Sequence, residues 1–259
     1  MIRQIANGTY LTSLIGLYAA RGLVAKKVIR NPHSLLKFYT KTVSKKSRAA
    51  LTKLNFEVHV KGYNAELMAQ DNFLLVGNHM SYLDILVISS IVPSVFVTSV
   101  DLKESGFLGT LAELGGSIFV ERRNRSQIER DLESMTKTLR DGFNIMVYPE
   151  GTSSNGEKVL PFKKSLLMSA VNAEKDILPV CIKYREINGR PFSPENRDHV
   201  CWYGDMTFLP HFMELLKTKK VIVDLEFLNL VKTSRESTRD ELAKNCFEQI
   251  SASFHRKHS

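Results

Sequence analysis

Residues 73–84 read Phe73-Leu74-Leu75-Val76-Gly77-Asn78-His79-Met80-Ser81-Tyr82-Leu83-Asp84. The apolar run Phe73–Val76 has the composition of a buried strand. Ser81 at an N-cap, with Asp84 three residues on, starts a helix. A buried strand turning directly into a helix is the repeating unit of a layered α/β domain. The rest of the chain from Gly62 onward repeats it.

Val95-Phe96-Val97-Thr98 and Ile118-Phe119-Val120 are further strands. The capping box Ser126-x-x-Glu129 then opens a helix with Ile128, Leu132, Met135 and Leu139 on one face, stopping at Gly142. Ile145-Met146-Val147-Tyr148 is the next strand, followed by a helix near Ser165–Ala173 and the strand Val180-Cys181-Ile182. Val221–Leu228 adds a late strand. A closing helix starts at Thr238-x-x-Glu241 and spaces Leu242, Cys246, Ile250 and Phe254 by fours. The expected fold is α/β, a mostly parallel central sheet flanked by helices.

The chain before Gly62 has another character. Residues 1–62 hold 12 Lys and Arg against one acid, Glu57, whereas the remainder holds 24 against 26. The net charge of +9 therefore belongs to the N-terminal quarter, which implies an anionic partner. Thr9–Ala25 is mostly apolar, yet its uncharged run Tyr10–Ala20 is too short to cross a bilayer core of about 30 Å. After Asn31-Pro32, Ser34–Leu54 spaces Leu36, Tyr39, Val43, Ala50 and Leu54 helically, with Lys37, Lys41, Lys45, Lys46, Arg48 and Lys53 between them. Two helices with apolar stripes and basic flanks suit the headgroup region of an anionic membrane. The division this suggests is 1–60, an amphipathic two-helix membrane-docking element, and 61–259, the α/β domain. A signal peptide ending near Ala20, a basic nucleic-acid contact and a helix that merely covers the core are the other readings of this segment. Cys181, Cys201 and Cys246 are widely spaced, with no CxxC pair, and read as buried small hydrophobes in a reducing compartment.

His79 follows the first strand by two residues, and Asp84 lies five beyond it. On one continuous helix that separation places the side chains about 140° apart. They meet only if His79 occupies the turn and Asp84 the first helical turn. A histidine beside a carboxylate is a general base with a fixed tautomer. It needs a nucleophile, and Gly151-Thr152-Ser153-Ser154-Asn155 is not a nucleophile elbow, which points to a hydroxyl brought by the substrate. A cap acid next to a turn histidine is the purely structural alternative.

Asn78-His79-x4-Asp84 resembles the H-x4-D motif of the glycerolipid acyltransferase family, which includes 1-acylglycerol-3-phosphate acyltransferases. Three more of its blocks follow in order: Gly116-Ser117-Ile118-Phe119-Val120-Glu121-Arg122, Tyr148-Pro149-Glu150-Gly151-Thr152 and Leu178-Pro179-Val180. The likeness spans roughly residues 60 to 230, and the N-terminal helix pair is similar to the docking element of bacterial members.

The resemblance implies direct acyl transfer. His79, oriented by Asp84, takes the proton of a lysolipid hydroxyl, which attacks the thioester of acyl-CoA or acyl-carrier protein. It implies no metal and no cofactor, and a place at the cytoplasmic membrane face as a peripheral or monotopic protein; nucleic acid is not an expected partner. Asn78, Arg122, Glu150, Gly151, Thr152 and Lys163 are the implied substrate-binding residues. A guanidinium fork such as that of Arg122 matches phosphate or carboxylate oxygens. The family's third block often continues with arginine, where this chain has Ser153. Lys163 or Lys164 can supply the missing charge, and either equally fits the solvated start of the next helix.

The expected reaction is O-acylation of a lysophospholipid, 1-acylglycerol-3-phosphate first, giving phosphatidic acid. The alternative acceptor is a lyso-ornithine lipid or another lysolipid. A thioesterase, with water replacing the alcohol, and a non-catalytic basic adaptor are the rivals of other classes.

Overall fold

The computed structural model describes residues 2–121 and 125–256. Two long helices come first, α1 (Ile2–Val28) and α2 (Pro32–Leu54). The break between them is built by residue chemistry. The Asn31 side chain accepts the Ser34 N–H at 2.9 Å, Pro32 occupies the first turn where no amide hydrogen is required, and Asn55 ends α2 in a left-handed conformation.

The α/β part alternates β1 (Phe56–Lys61), α3 (Ala65–Gln70), β2 (Leu74–Gly77), α4 (Leu83–Ile91), β3 (Ser94–Ser99), α5 (Val100–Glu104), α6 (Phe107–Leu114), β4 (Ile118–Val120), α7 (Arg125–Arg140) and β5 (Asn144–Val147). It continues through α8 (Met168–Ala173), β6 (Ile177–Ile187), β7 (Arg190–Pro191), α9 (Phe208–Leu215), β8 (Val221–Phe227) and α10 (Arg239–His255). The sheet order is β1-β8-β6-β2-β5-β3-β4, with β7 on the edge of β6. All pairings are parallel except β6 with β8 and β6 with β7. This is the α/β architecture expected from the alternation of apolar runs and amphipathic helices.

The centre of the sheet is dry. Leu74, Leu75 and Val76 of β2 are fully buried, as are Ile145 and Met146 of β5 beside them. Truncating one of the leucines to alanine costs about 2–5 kcal/mol by the usual cavity penalty. Parallel strands covered on both faces read as continuous apolar runs, which is why these two were legible.

Several boundaries differ from the sequence reading. β1 begins at Phe56 and lies across the division at residue 60, pairing in parallel with β8 from Phe56 to Lys61. The helix expected to be capped by Ser126 already starts at Arg125, so Ser126 is inside its first turn. α4 starts at Leu83 with Tyr82 in the cap position, one residue later than expected, yet Ser81 and Asp84 still make capping bonds: Ser81 Oγ accepts the Leu83 N–H at 3.3 Å and Asp84 Oδ2 accepts the Ser81 N–H at 2.8 Å. The box at Thr238 and Glu241 forms as expected, both reciprocal bonds being present.

Candidate active site

β2 and β5 are neighbours in the sheet and run parallel, so the turns after them emerge at the same edge. His79 lies two residues beyond the end of β2, and the segment Tyr148–Gly151 follows β5 directly. Carboxyl ends of parallel strands are where open α/β sheets assemble their sites.

The turn Asn78–Ser81 is held from every side. The Asn78 amide, which is buried, donates to the Ile182 carbonyl at 2.8 Å and accepts the Ile182 N–H at 2.9 Å, tying β2 to β6. The Glu150 carboxylate accepts the His79 N–H at 2.8 Å and the Leu160 N–H at 3.0 Å. Ser154 N–H donates to the His79 carbonyl, and Trp202 N–H to that of Met80, both at 2.8 Å.

Within this frame His79 Nδ1 is 2.8 Å from Asp84 Oδ2. A carboxylate oxygen only accepts, so Nδ1 carries the proton and Nε2 is the nitrogen left to act as a base. The same Oδ2 also accepts the N–H groups of Met80 at 2.7 Å and Ser81 at 2.8 Å. Asp84 Oδ1 accepts the Tyr184 hydroxyl at 2.8 Å. Asp84 is wholly buried, whereas the His79 side chain keeps 19% exposure. The separation of five residues is thus bridged as the spacing required, with histidine in the turn and aspartate in the first helical turn.

Tyr148 stacks on the His79 imidazole, ring centroids 4.1 Å apart and planes 13° from parallel. Its hydroxyl is buried with no partner among the described residues, and burial, then the charge of Asp84, push that phenol well above its ordinary range. Burial likewise pushes the Glu150 carboxyl up to about 7, against the two amide hydrogens it accepts and with the Asp84 charge adding to the shift.

The expected substrate-contacting residues separate into two groups. Asn78 and Glu150 turn their polar atoms into the protein and hold the backbone. Gly151, Thr152 and Lys163 lie at the surface end. Gly151 adopts φ +74°, and a Cβ there would stand 2.8 Å from Lys163 Nζ, so glycine admits both the turn and the close ammonium. Lys164 forms an ion pair with Asp240 of α10, which leaves Lys163 as the lysine beside the third block. The Ser153 hydroxyl donates to the Trp202 carbonyl. Arg122 lies outside the described residues.

A mostly apolar cavity of about 630 Å³ opens beside His79. Tyr148, Gly151 and Thr152 line it, together with Leu11 and Leu14 of α1, Ala50 and Leu54 of α2 and Leu86 of α4. The N-terminal helices are therefore walls of the cavity and not only an appendage. Tyr184 and Trp202 are site residues outside all four blocks, and Tyr148 opens the third block without having been named as a site residue. Tyr184 had one available signal: it lies two residues after Ile182, hence on the same face of the strand.

A histidine bonded to a buried carboxylate, with no nucleophile elbow among the described residues and a mostly apolar cavity beside it, is an arrangement suited to moving an acyl group onto a hydroxyl that the substrate brings. The comparisons make this specific. The acyltransferase family model matches residues 57–183. The chain is 33% identical over 210 residues to the lyso-ornithine lipid O-acyltransferase of Rhizobium meliloti, covering 78% of this chain and 71% of that protein. It is 28% identical over 179 residues to the 1-acyl-sn-glycerol-3-phosphate acyltransferase of Neisseria gonorrhoeae, covering 69% and 68%. The crystal structure of the 1-acyl-sn-glycerophosphate acyltransferase from Thermotoga maritima superposes with a TM-score of 0.68 at 23% identity, over 100% of this chain and 99% of that one, and shows the same fold. The chain belongs to the acyltransferase family and is an enzyme of that class.

Proposed function

We propose that the protein O-acylates a lysolipid whose head group carries an anion, using acyl-CoA or acyl-carrier protein as donor. The observation that carries this reading is the His79–Asp84 pair, with Nδ1 committed to the carboxylate and the imidazole facing an apolar cavity. Nε2 takes the proton of the lipid hydroxyl, whose oxygen attacks the thioester carbonyl, and the imidazolium returns the proton to the departing thiolate. The thioester is already activated, so the step requires no metal or prosthetic group.

The leading acceptor is 1-acylglycerol-3-phosphate, for which Lys163 supplies a cation beside Gly151 and Thr152. Lyso-ornithine lipid is the second reading. It is favoured by Ser153, which puts a hydroxyl bound to Trp202 where a phosphate-binding arginine is common, and by the likeness to the Rhizobium enzyme. A panel of lysolipids with labelled acyl-CoA or acyl-carrier protein separates them. The phosphate-bearing acceptor is expected to be the best; if it is the poorest, that substrate assignment is wrong.

Residues 1–60 serve in this reading as the element that rests on the cytoplasmic face of the membrane, and 61–259 as the catalytic domain. No helix among the described residues is long and apolar enough to cross a bilayer. Tyr10, Leu17 and Val24 lie exposed along α1, and Lys37, Lys41 and Lys45 along α2, the pairing of apolar and basic surface that an anionic interface attracts. Reversing those three lysines to glutamate is expected to release the protein from anionic vesicles; binding undiminished by the change contradicts the docking assignment.

A further inference from the structure

We propose that Tyr184 is a positioning residue for the acyl transfer, holding the Asp84 carboxylate in the charge and orientation that His79 needs. The proposal rests on the reading of His79 as the base and adds a group that none of the family blocks contains.

Both oxygens of Asp84 are held, by different parts of the fold. Oδ2 is occupied by three donors, two of them backbone N–H groups of its own turn and the third the imidazole. Those three fix one oxygen. The carboxylate can still pivot about that oxygen unless the other one is held, and Tyr184 is what holds it, at 2.8 Å from Oδ1. The hydroxyl comes from β6, on the far side of β2 from β5, so the anchor is independent of the turn that carries His79.

The placement is not that of a core filler. Tyr184 is buried in the apolar centre, where phenylalanine would pack equally well and bring no hydroxyl to satisfy. Its ring is stacked with Phe192, centroids 6.4 Å apart, which restricts the direction of the hydroxyl. The β6–β8 register shifts immediately after Tyr184, between it and Glu186. Bulges of this kind bend a strand, and they occur next to active sites more often than elsewhere. Asn78 is bonded to Ile182, two residues earlier on β6, so this one strand supports both flanks of the His79 turn.

Burial, and after it the charge of Asp84, push the Tyr184 phenol far above its ordinary value. It therefore stays protonated and acts only as a donor to the carboxylate. A donor to an ionised acceptor disperses the negative charge. Without it the carboxylate grips the imidazolium more tightly, and His79 returns its proton less readily.

The test is Tyr184→Phe, which deletes one oxygen. The expected result is a fall in kcat of about tenfold, the size of one lost hydrogen bond to a charged group, with KM for both substrates within about twofold. The acidic limb of the rate–pH profile is expected to move to higher pH. An unchanged kcat, or a fall in kcat with that limb unmoved, overturns the proposal, since either outcome makes the residue a packing element. If the single variant does not fold, Asp84→Asn with and without Tyr184→Phe gives the answer, because the buried charge is then gone. The second change is expected to add no further loss of kcat; a full additional tenfold loss shows that Tyr184 does not act through Asp84. His79→Ala run in parallel keeps the two readings apart. If that variant is inactive while Tyr184→Phe is fully active, only the role of Tyr184 fails; if His79→Ala is active, the reading of the base itself fails.

Discussion

The turn that carries His79 and the rim formed by the side chains of Thr152 and Lys163 lie side by side, yet the two are held very differently. At the His79 turn both oxygens of Asp84 are bonded, the Asn78 side chain ties the turn to β6, its backbone is tied to Glu150 and to Trp202, and the aspartate is wholly buried. Thr152 and Lys163 are exposed, and the ammonium of Lys163 ends a long side chain that lies beside Gly151. Proton transfer requires groups held in place before the substrate arrives, in surroundings that exclude competing water. Recognition of a head group tolerates an adaptable rim, and a rim on a loop can change without disturbing the chemistry behind it. One fold can in this way keep its reaction while the acceptor varies, which fits relatives that bear two different substrate names.

The contrast predicts different kinetic signatures for the two regions. The largest effect is expected at the centre: His79→Ala should lower kcat by about a thousandfold, the middle of the usual range for loss of a general base. KM should change little, and single-turnover kinetics with saturating acceptor measures this. A loss confined to KM there would erase the distinction between the regions.

At the rim the signature reverses. Lys163→Ala should raise KM for a phosphate-bearing acceptor roughly three- to fivefold, as expected of an exposed charge contact, and leave kcat nearly intact. The same variant should leave an uncharged lysolipid unaffected. An equal change for both acceptors would remove Lys163 from head-group recognition.

The smallest effect sharpens the border between the regions, where Glu150 stands. Its carboxyl is raised from 4.5 to about 7, mainly by burial. An acid raised in the folded state contributes stability that is fully present below its unfolded value and is lost as pH rises through the folded one. Glu150→Gln removes this proton linkage, so Tm of the variant relative to wild type should rise between about pH 4.5 and about pH 7. A difference that is flat across that range contradicts the shift.

Much of this was legible in the sequence, for identifiable reasons. The runs Phe73–Val76 and Ile145–Tyr148 announced buried strands because parallel strands covered on both faces have no polar side to alternate with. The spacing of His79 and Asp84 set the condition for their pairing, contact only across a turn, and the resemblance to the H-x4-D motif implied that they pair. β1 was missed because Phe56–Lys61, reading Phe-Glu-Val-His-Val-Lys, is half exposed and adjoins a basic helix without a break in composition. Short helices such as α5 and α6 show too few turns for periodicity. The inward direction of Asn78 and Glu150 was not legible at all. Their partners are backbone groups of Ile182, His79 and Leu160, and a motif records side chains rather than the amides they hold. Tyr184 was hidden for a related reason: its partner is 100 residues away in the chain and meets it only once β6 lies against β2.

In the proposed reaction His79 acts on a hydroxyl brought by a lipid. The most direct measurement follows consumption of a labelled acyl thioester by the wild-type protein with and without lysolipid, together with the fate of the label. Consumption is expected to require the acceptor, with the label recovered in the doubly acylated lipid. Loss of thioester at an undiminished rate without acceptor, with the label released as free fatty acid, would contradict the account and make the protein a hydrolase.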